Sequence, residues 1–233
     1  GIDDYQLFNN RTITASSSPA EWKLSKGYNQ LSIDAHLRDS MEQYQTVAYL
    51  VIKNDSILHE EYWDNYNDTS LSNSFSMAKS IVGLLVGCAI DDGKIDSVNQ
   101  KAADYLPFLN NGWGEQLTIG DLLTMSAASS WDESYSSATS ITTQAYYGSD
   151  LNKLMETITI DEKPGVKFEY ESGNTQLLAM ILEKATGQSI AHYASEKIWQ
   201  PIGAKNNALW SLDHAKKKKK AYCCFNSNAR DFA

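Results

Sequence analysis

The chain has 233 residues, 42% hydrophobic and 21% charged, which is enough apolar material for the core of one large domain or two small ones. With 29 acidic against 20 basic side chains its formal net charge is −9, and this argues against nucleic acid as a partner, because phosphate binding needs a basic surface. The longest apolar run, Ile81 to Ile90, is about half the ~20 residues that a bilayer-spanning helix needs, so it reads as a core helix and no membrane segment is expected.

The sequence opens at Gly1 without an initiator methionine, which is compatible with a signal peptide or anchor removed ahead of this numbering. Residues 1 to 30 are polar and mixed, an extended lead-in to a short helix around Ile33 to Glu42. Thr46 to Ile52 and Ile57 to Tyr62 flank the turn segment Lys53-Asn54-Asp55-Ser56 and predict a β-hairpin. Two strands alone are marginal in water, so further strands are needed.

Phe75-Ser76-Met77-Ala78-Lys79-Ser80 leads directly into the apolar run, and Asp91-Asp92-Gly93 ends it, with Gly93 suited to a left-handed cap. On a helix this spacing puts Lys79 one turn beyond Ser76 on the same face, with Cβ atoms roughly 5–6 Å apart. A serine hydroxyl is inert without an adjacent base, and a neutral amine can take its proton. The unpaired N–H groups of the helix start add positive potential at Ser76. Of the chain's lysines, only Lys79 has a serine three residues before it.

Thr118-Ile119-Gly120-Asp121 has the form of a capping box opening Leu122 to Met125. Residues 126 to 149 turn rich in Ser, Thr and aromatics, among them Trp131, Tyr135, Tyr146 and Tyr147, and read as a loop that forms a pocket wall. Pro164-Gly165 precedes Tyr170-Glu171-Ser172-Gly173-Asn174, after which Leu177, Leu178, Ile181 and Leu182 define a helical face stopping at Gly187. A further helix runs from Ile190 to Trp199, ahead of Pro201. Lys216 to Lys220 read as a solvated loop, and Ser227 to Ala233 as the start of a capped helix. Cys88, Cys223 and Cys224 make neither a disulfide framework nor a zinc site, and are expected to be three buried thiols. His36, His59, His192 and His214 are scattered and no G-x-S-x-G turn is present, which disfavours a Ser-His-Asp hydrolase of the α/β type.

Ser76-Met77-Ala78-Lys79 ahead of an apolar helix, Leu117 to Ser126 after it, and Pro164-Gly165 before Tyr170-Glu171-Ser172 together resemble the serine β-lactamase and penicillin-binding-protein superfamily, in particular its class C-like esterase and 6-aminohexanoate-dimer-hydrolase branch. The resemblance covers roughly residues 45 to 233. It implies an α+β fold in the β-lactamase manner, an antiparallel sheet against a mostly helical layer. Residues 1–75 and 206–233 would contribute to the sheet part, and 76–205 would form the helical part. It further implies that Ser76 is acylated, that Lys79 takes its proton, and that Tyr170 relays a proton to the leaving group and later activates water. Tyr135, Tyr147 and Tyr193 also have a serine two residues on, but only Tyr170 has the Pro-Gly approach and the following helix. Ser172, Asn174, Trp131 and Tyr147 are the expected substrate-binding residues. No metal or cofactor is implied; the substrate is a small amide, ester or peptide-like molecule, and the location is periplasmic or extracytoplasmic.

The family's third element, a Lys-Thr-Gly or His-x-Gly on a late strand, is not found in this sequence. The expectation is therefore a chain lacking its last strands and one oxyanion donor. A non-catalytic or slowly deacylating sensor is the alternative to a hydrolase.

Overall fold

The computed structural model describes residues 1–213 and 219–233. From the N-terminus, β1 (Asn10–Ile13), β2 (Lys23–Leu24) and α1 (Ala35–Gln43) lead to a hairpin of β3 (Ala48–Lys53) and β4 (Ser56–Tyr62). The hairpin closes where the sequence predicts it. Asn54 and Asp55 take φ 50° and 54°, the left-handed pair that a turn matching the strand twist demands. Next come β5 (Ser72–Asn73), a 3-10 turn over Phe75–Met77, and α2 (Ala78–Asp91). The helical layer continues with α3 (Ile119–Leu123), α4 (Ile141–Tyr147), α5 (Leu151–Met155), α6 (Ser172–Thr186) and α7 (Ile190–Ala194), the last running on as a π-helical turn to Trp199. β6 (Ala208–Ser211), β7 (Phe225–Ser227) and α8 (Ala229–Phe232) follow.

Four strands drawn from distant parts of the chain form an antiparallel sheet in the order β1-β6-β7-β5. Asn10 stands opposite Ser211, Trp210 opposite Phe225, and Ser72 opposite Ser227. The hairpin belongs to a second sheet of order β2-β4-β3, in which β2 runs parallel to β4. The hairpin therefore does not build the sheet that adjoins Ser76. That role falls to β5, which pairs with β7 immediately before the serine turn.

α2 packs on α6, burying Val82, Leu85, Val86 and Ala89 of one helix and Leu177, Leu178, Ile181 and Leu182 of the other. Each fully buried Val or Leu contributes about 1.5–3 kcal/mol relative to exposure, so this contact fixes where the start of α2 lies. At its far end Gly93 adopts φ 63°, and the Lys94 amide donates back to the Ala89 carbonyl at 2.8 Å. That is the left-handed termination read from the sequence. The capping box of α3 is also present: Thr118 Oγ1 accepts from the Asp121 amide at 3.1 Å, and Asp121 Oδ2 from the Thr118 amide at 2.9 Å. Under the four-stranded sheet, Phe225 meets Trp199 and Trp210 edge to face at 5.1 and 5.2 Å between ring centroids.

Three expectations change. Residues 126–149 are not loop throughout, because Ser140 Oγ accepts from the Thr143 amide at 3.2 Å and starts α4. Cys223 and Cys224 are joined to each other by a disulfide rather than being buried thiols, leaving Cys88 as the free, half-buried thiol. Lys219 and Lys220 are buried rather than solvated. Lys219 pairs with Glu183 at 2.8 Å, and Lys220 donates to the Tyr146 carbonyl with its ammonium 3.5 Å from the Phe8 ring centroid. Lys216, Lys217 and Lys218 lie outside the described residues.

Candidate active site

The turn that presents Ser76 is held from the sheet. The Ser74 amide donates to the Phe225 carbonyl of β7 at 2.8 Å, and the buried Asn73 accepts from the Phe75 amide through Oδ1 at 3.0 Å. These bonds hold Phe75 at φ 44°, a conformation that costs a bulky residue on the order of 1–3 kcal/mol. Its consequence is positional: Ser76 is exposed on the 3-10 turn at the sheet edge, just ahead of α2.

Lys79 follows one turn later, half-buried, with Nζ 3.0 Å from Ser76 Oγ and 2.8 Å from the Tyr222 carbonyl oxygen, to which it donates. Tyr170 reaches this pair from the segment before α6. Its ring centroid lies 5.1 Å from Lys79 Nζ, within cation–π range. Both hydrogen bonds of the amine go to Ser76 and Tyr222, so Tyr170 meets the amine through its ring face. Tyr193 is elsewhere, its hydroxyl donating to Asp92 at 2.8 Å.

Beside Ser76 opens a cavity of about 270 Å³, walled by Phe75, Tyr135, Tyr147, Ser172, Tyr222 and Cys223 among others. Tyr147 and Ser172 thus lie on the wall. Trp131 and Asn174 do not line it. Trp131 is 5% exposed, and its indole covers Gly173, where a Cβ would come within 2.6 Å of Trp131 Cε3. Only glycine fits at that position. Asn174 is fully buried because the third residue of α6 faces inward, and its Nδ2 points to Met125 Sδ at 3.8 Å.

Glu133 carries no sequence signature, yet it accepts from the Ser172 amide at 2.6 Å, Ser172 Oγ at 2.7 Å, Trp131 Nε1 at 2.7 Å and the Tyr135 hydroxyl. Glu171, beside Tyr170, is 3% exposed. Burial pushes its carboxyl up to about 7, against the Ser129 hydroxyl bond at 2.8 Å, with Glu169 adding repulsion.

Among curated proteins, the 6-aminohexanoate-dimer hydrolase of Paenarthrobacter ureafaciens is 27% identical over 188 residues, covering 76% of this chain and 47% of that protein. The chain therefore spans about half the length of this curated relative. A solved structure named "Putative 6-aminohexanoate-dimer hydrolase from Bacillus anthracis" superposes with TM-score 0.86 at 22% identity, over 99% of this chain and 65% of its own. A penicillin binding protein from Bacillus halodurans gives 0.65 at 17%, over 84% and 71%. These likenesses speak for the fold, and the sheet with its helical layer is the β-lactamase-like arrangement expected from the sequence. The family model described as Beta-lactamase matches residues 33–223, a span that holds the serine turn, both central helices and the Tyr222 carbonyl, and the chain belongs to that family.

Proposed function

We propose that this chain carries the acylation centre of a serine hydrolase acting on an amide or ester bond. The approach of Lys79 Nζ to within 3.0 Å of Ser76 Oγ, beside an open cavity, carries the reading. That distance is the hydrogen-bond reach a nucleophile and its base require. In the reactive state Lys79 is a neutral amine that accepts the Ser76 proton as Oγ attacks the carbonyl carbon. Collapse of the tetrahedral adduct breaks the bond to the leaving group and leaves an ester on Ser76. Tyr170, over the amine, passes the proton to the leaving group and then helps water to attack the acyl-enzyme. Ser172 meets the substrate from the cavity wall. The hydrolase named among the relatives supports amide cleavage as a class.

The test is incubation with a p-nitrophenyl ester, followed by intact-mass analysis. The expected result is nitrophenolate release together with a transient acyl adduct on Ser76, both absent from Ser76→Ala. Turnover that survives in Ser76→Ala defeats the proposal. Stoichiometric acylation of Ser76 without release replaces the hydrolase by a sensor.

A further inference from the structure

Cys223 and Cys224 close a disulfide between neighbours in the chain, a small ring that includes the peptide bond they share. This ring sits between two main-chain groups that hold the proposed acylation centre. The carbonyl just before it, of Tyr222, accepts from Lys79 Nζ at 2.8 Å. The carbonyl just after it, of Phe225, accepts from the Ser74 amide at 2.8 Å. The far side of the ring is tied into the sheet, where the Cys224 carbonyl accepts from the Ser211 amide at 2.9 Å and from Asn226 Nδ2 at 2.8 Å. Ahead of Tyr222, the Ala221 amide donates to Oε1 of the buried Gln176 at 2.9 Å. Tyr222 is therefore strung between α6 and the sheet, and the ring is the stiff link on the sheet side. Cys224 stands at φ 67°, in the left-handed region that residues with a side chain adopt infrequently, and the ring restricts it there. The two sulfurs differ in access: Cys223 lines the cavity beside Ser76, whereas Cys224 is 1% exposed.

We propose that the Cys223–Cys224 disulfide is a redox-dependent positioning element for Lys79: closed, it aims the Tyr222 carbonyl at the amine, and a small thiol entering the cavity opens it and slows acylation. This goes beyond the hydrolase reading and rests on it. A thiolate of a small dithiol attacks Cys223 Sγ, the S–S bond breaks, and its electron pair leaves on Cys224 Sγ, which takes up a proton. The second thiol of the reagent then displaces Cys223 from the mixed disulfide, leaving two protein thiols and one oxidised reagent. With the ring open, the backbone on either side of the shared peptide bond turns independently. The Tyr222 carbonyl loses its fixed direction, and the amine loses the partner that steadies it beside Ser76.

The measurement is kcat and KM for a p-nitrophenyl ester in the oxidised protein, after dithiothreitol, and after reoxidation, with intact mass under non-denaturing conditions reporting the two hydrogens gained on reduction. The expected result is a loss of about tenfold in kcat on reduction, as for one oriented hydrogen bond, with KM little changed and the rate restored on reoxidation. Cys224→Ser, which cannot form the ring, should show the lowered kcat from the outset and no response to dithiothreitol. Cys88→Ser should keep both the rate and the response of the unmutated protein. Reduction of the unmutated protein needs no substitution, so the test stands where Cys224→Ser does not fold. An unchanged kcat in protein whose mass shows both thiols, a loss carried by KM instead of kcat, or a dithiothreitol response that persists in Cys224→Ser overturns the assignment and leaves the hydrolase standing. If the oxidised protein shows no Ser76-dependent turnover, the hydrolase reading falls and this assignment falls with it.

Discussion

The amine of Lys79 is held by the main-chain carbonyl of Tyr222, 2.8 Å away and 143 positions further along the chain. A lysine side chain has four rotatable bonds, and ordering it costs up to about 2 kcal/mol. The carbonyl holds it in place and leaves the Ser76 hydroxyl at 3.0 Å as its other partner.

On the proposed chemistry Ser76 and Lys79 act as a unit. Ser76→Ala and Lys79→Ala are each expected to remove nearly all turnover of a p-nitrophenyl ester, and the double variant to be scarcely worse than either single one. A double-mutant cycle on initial rates checks this. Additive losses would mean that the two side chains contribute separately.

Tyr170→Phe keeps the ring over Lys79 and removes only the hydroxyl. The expected loss is about 10²–10⁴-fold in turnover, as for a general acid–base group, with acyl-enzyme accumulating on Ser76 where water activation becomes limiting. Mass spectrometry of the steady-state mixture reads this directly, and an unchanged rate would assign the proton relay to another group.

Glu171 predicts a pH dependence of stability. Its carboxyl is raised by burial from 4.5 to about 7 in the folded chain, so the native state favours the protonated form. That contribution is complete below pH 4.5 and is lost as pH rises toward 7, a fall of about 3 kcal/mol. Urea midpoints between pH 4 and pH 8 should decline in the unmutated chain and stay flatter in Glu171→Gln, which is the more stable of the two at pH 8.

Glu60 behaves in the opposite sense. Burial alone would raise it, but hydrogen bonds from Arg230, Tyr28 and Tyr62 outweigh burial and bring it down to about 2. Arg230 Nε lies 2.9 Å from Oε2. The stability this pairing gives is present above pH 4.5 and is lost as pH falls through 2. Arg230→Ala leaves a carboxylate that is 5% exposed without its cation, at a cost of about 3–5 kcal/mol. Chemical denaturation at pH 7 measures it.

Gly173→Ala should cost about 1–3 kcal/mol by overpacking, because the added methyl would lie 2.6 Å from Trp131 Cε3. Thermal unfolding followed by tryptophan fluorescence tests it. A neutral result would mean that the indole moves aside freely.

Much of this architecture is written locally. The Ser76-to-Lys79 spacing, the Thr118 and Asp121 box, the Asn54-Asp55 turn and Gly93 each specify geometry within a few residues, and each is found where the sequence predicts it. What escaped reading depends on contacts far apart in the chain. Glu133 is one acid among 29 acidic side chains until the fold brings Ser172 to it. Tyr222 enters the site through a backbone carbonyl, a group that every residue has. α4 is only seven residues long and starts from the Ser140 cap, so the Ser and Thr content around it reads as loop. Asn174 faces the interior from the first turn of α6, and Trp131 is buried over Gly173, neither of which motif spacing alone encodes.

The pairing of β5 with β7, together with the bond from Lys79 to Tyr222, sets the order in which the protein can mature. Synthesis from the N-terminus delivers Ser76 and Lys79 early, and the hairpin β3–β4 can close from neighbouring residues as soon as it emerges. The carbonyl that holds Lys79 and the strand that holds the serine turn are made more than a hundred residues later, so the ribosome releases Ser76 well before its surroundings exist. Non-local pairings of this kind form slowly because loop-closure entropy must first be overcome. In refolding, helical signal should therefore return ahead of Ser76 reactivity.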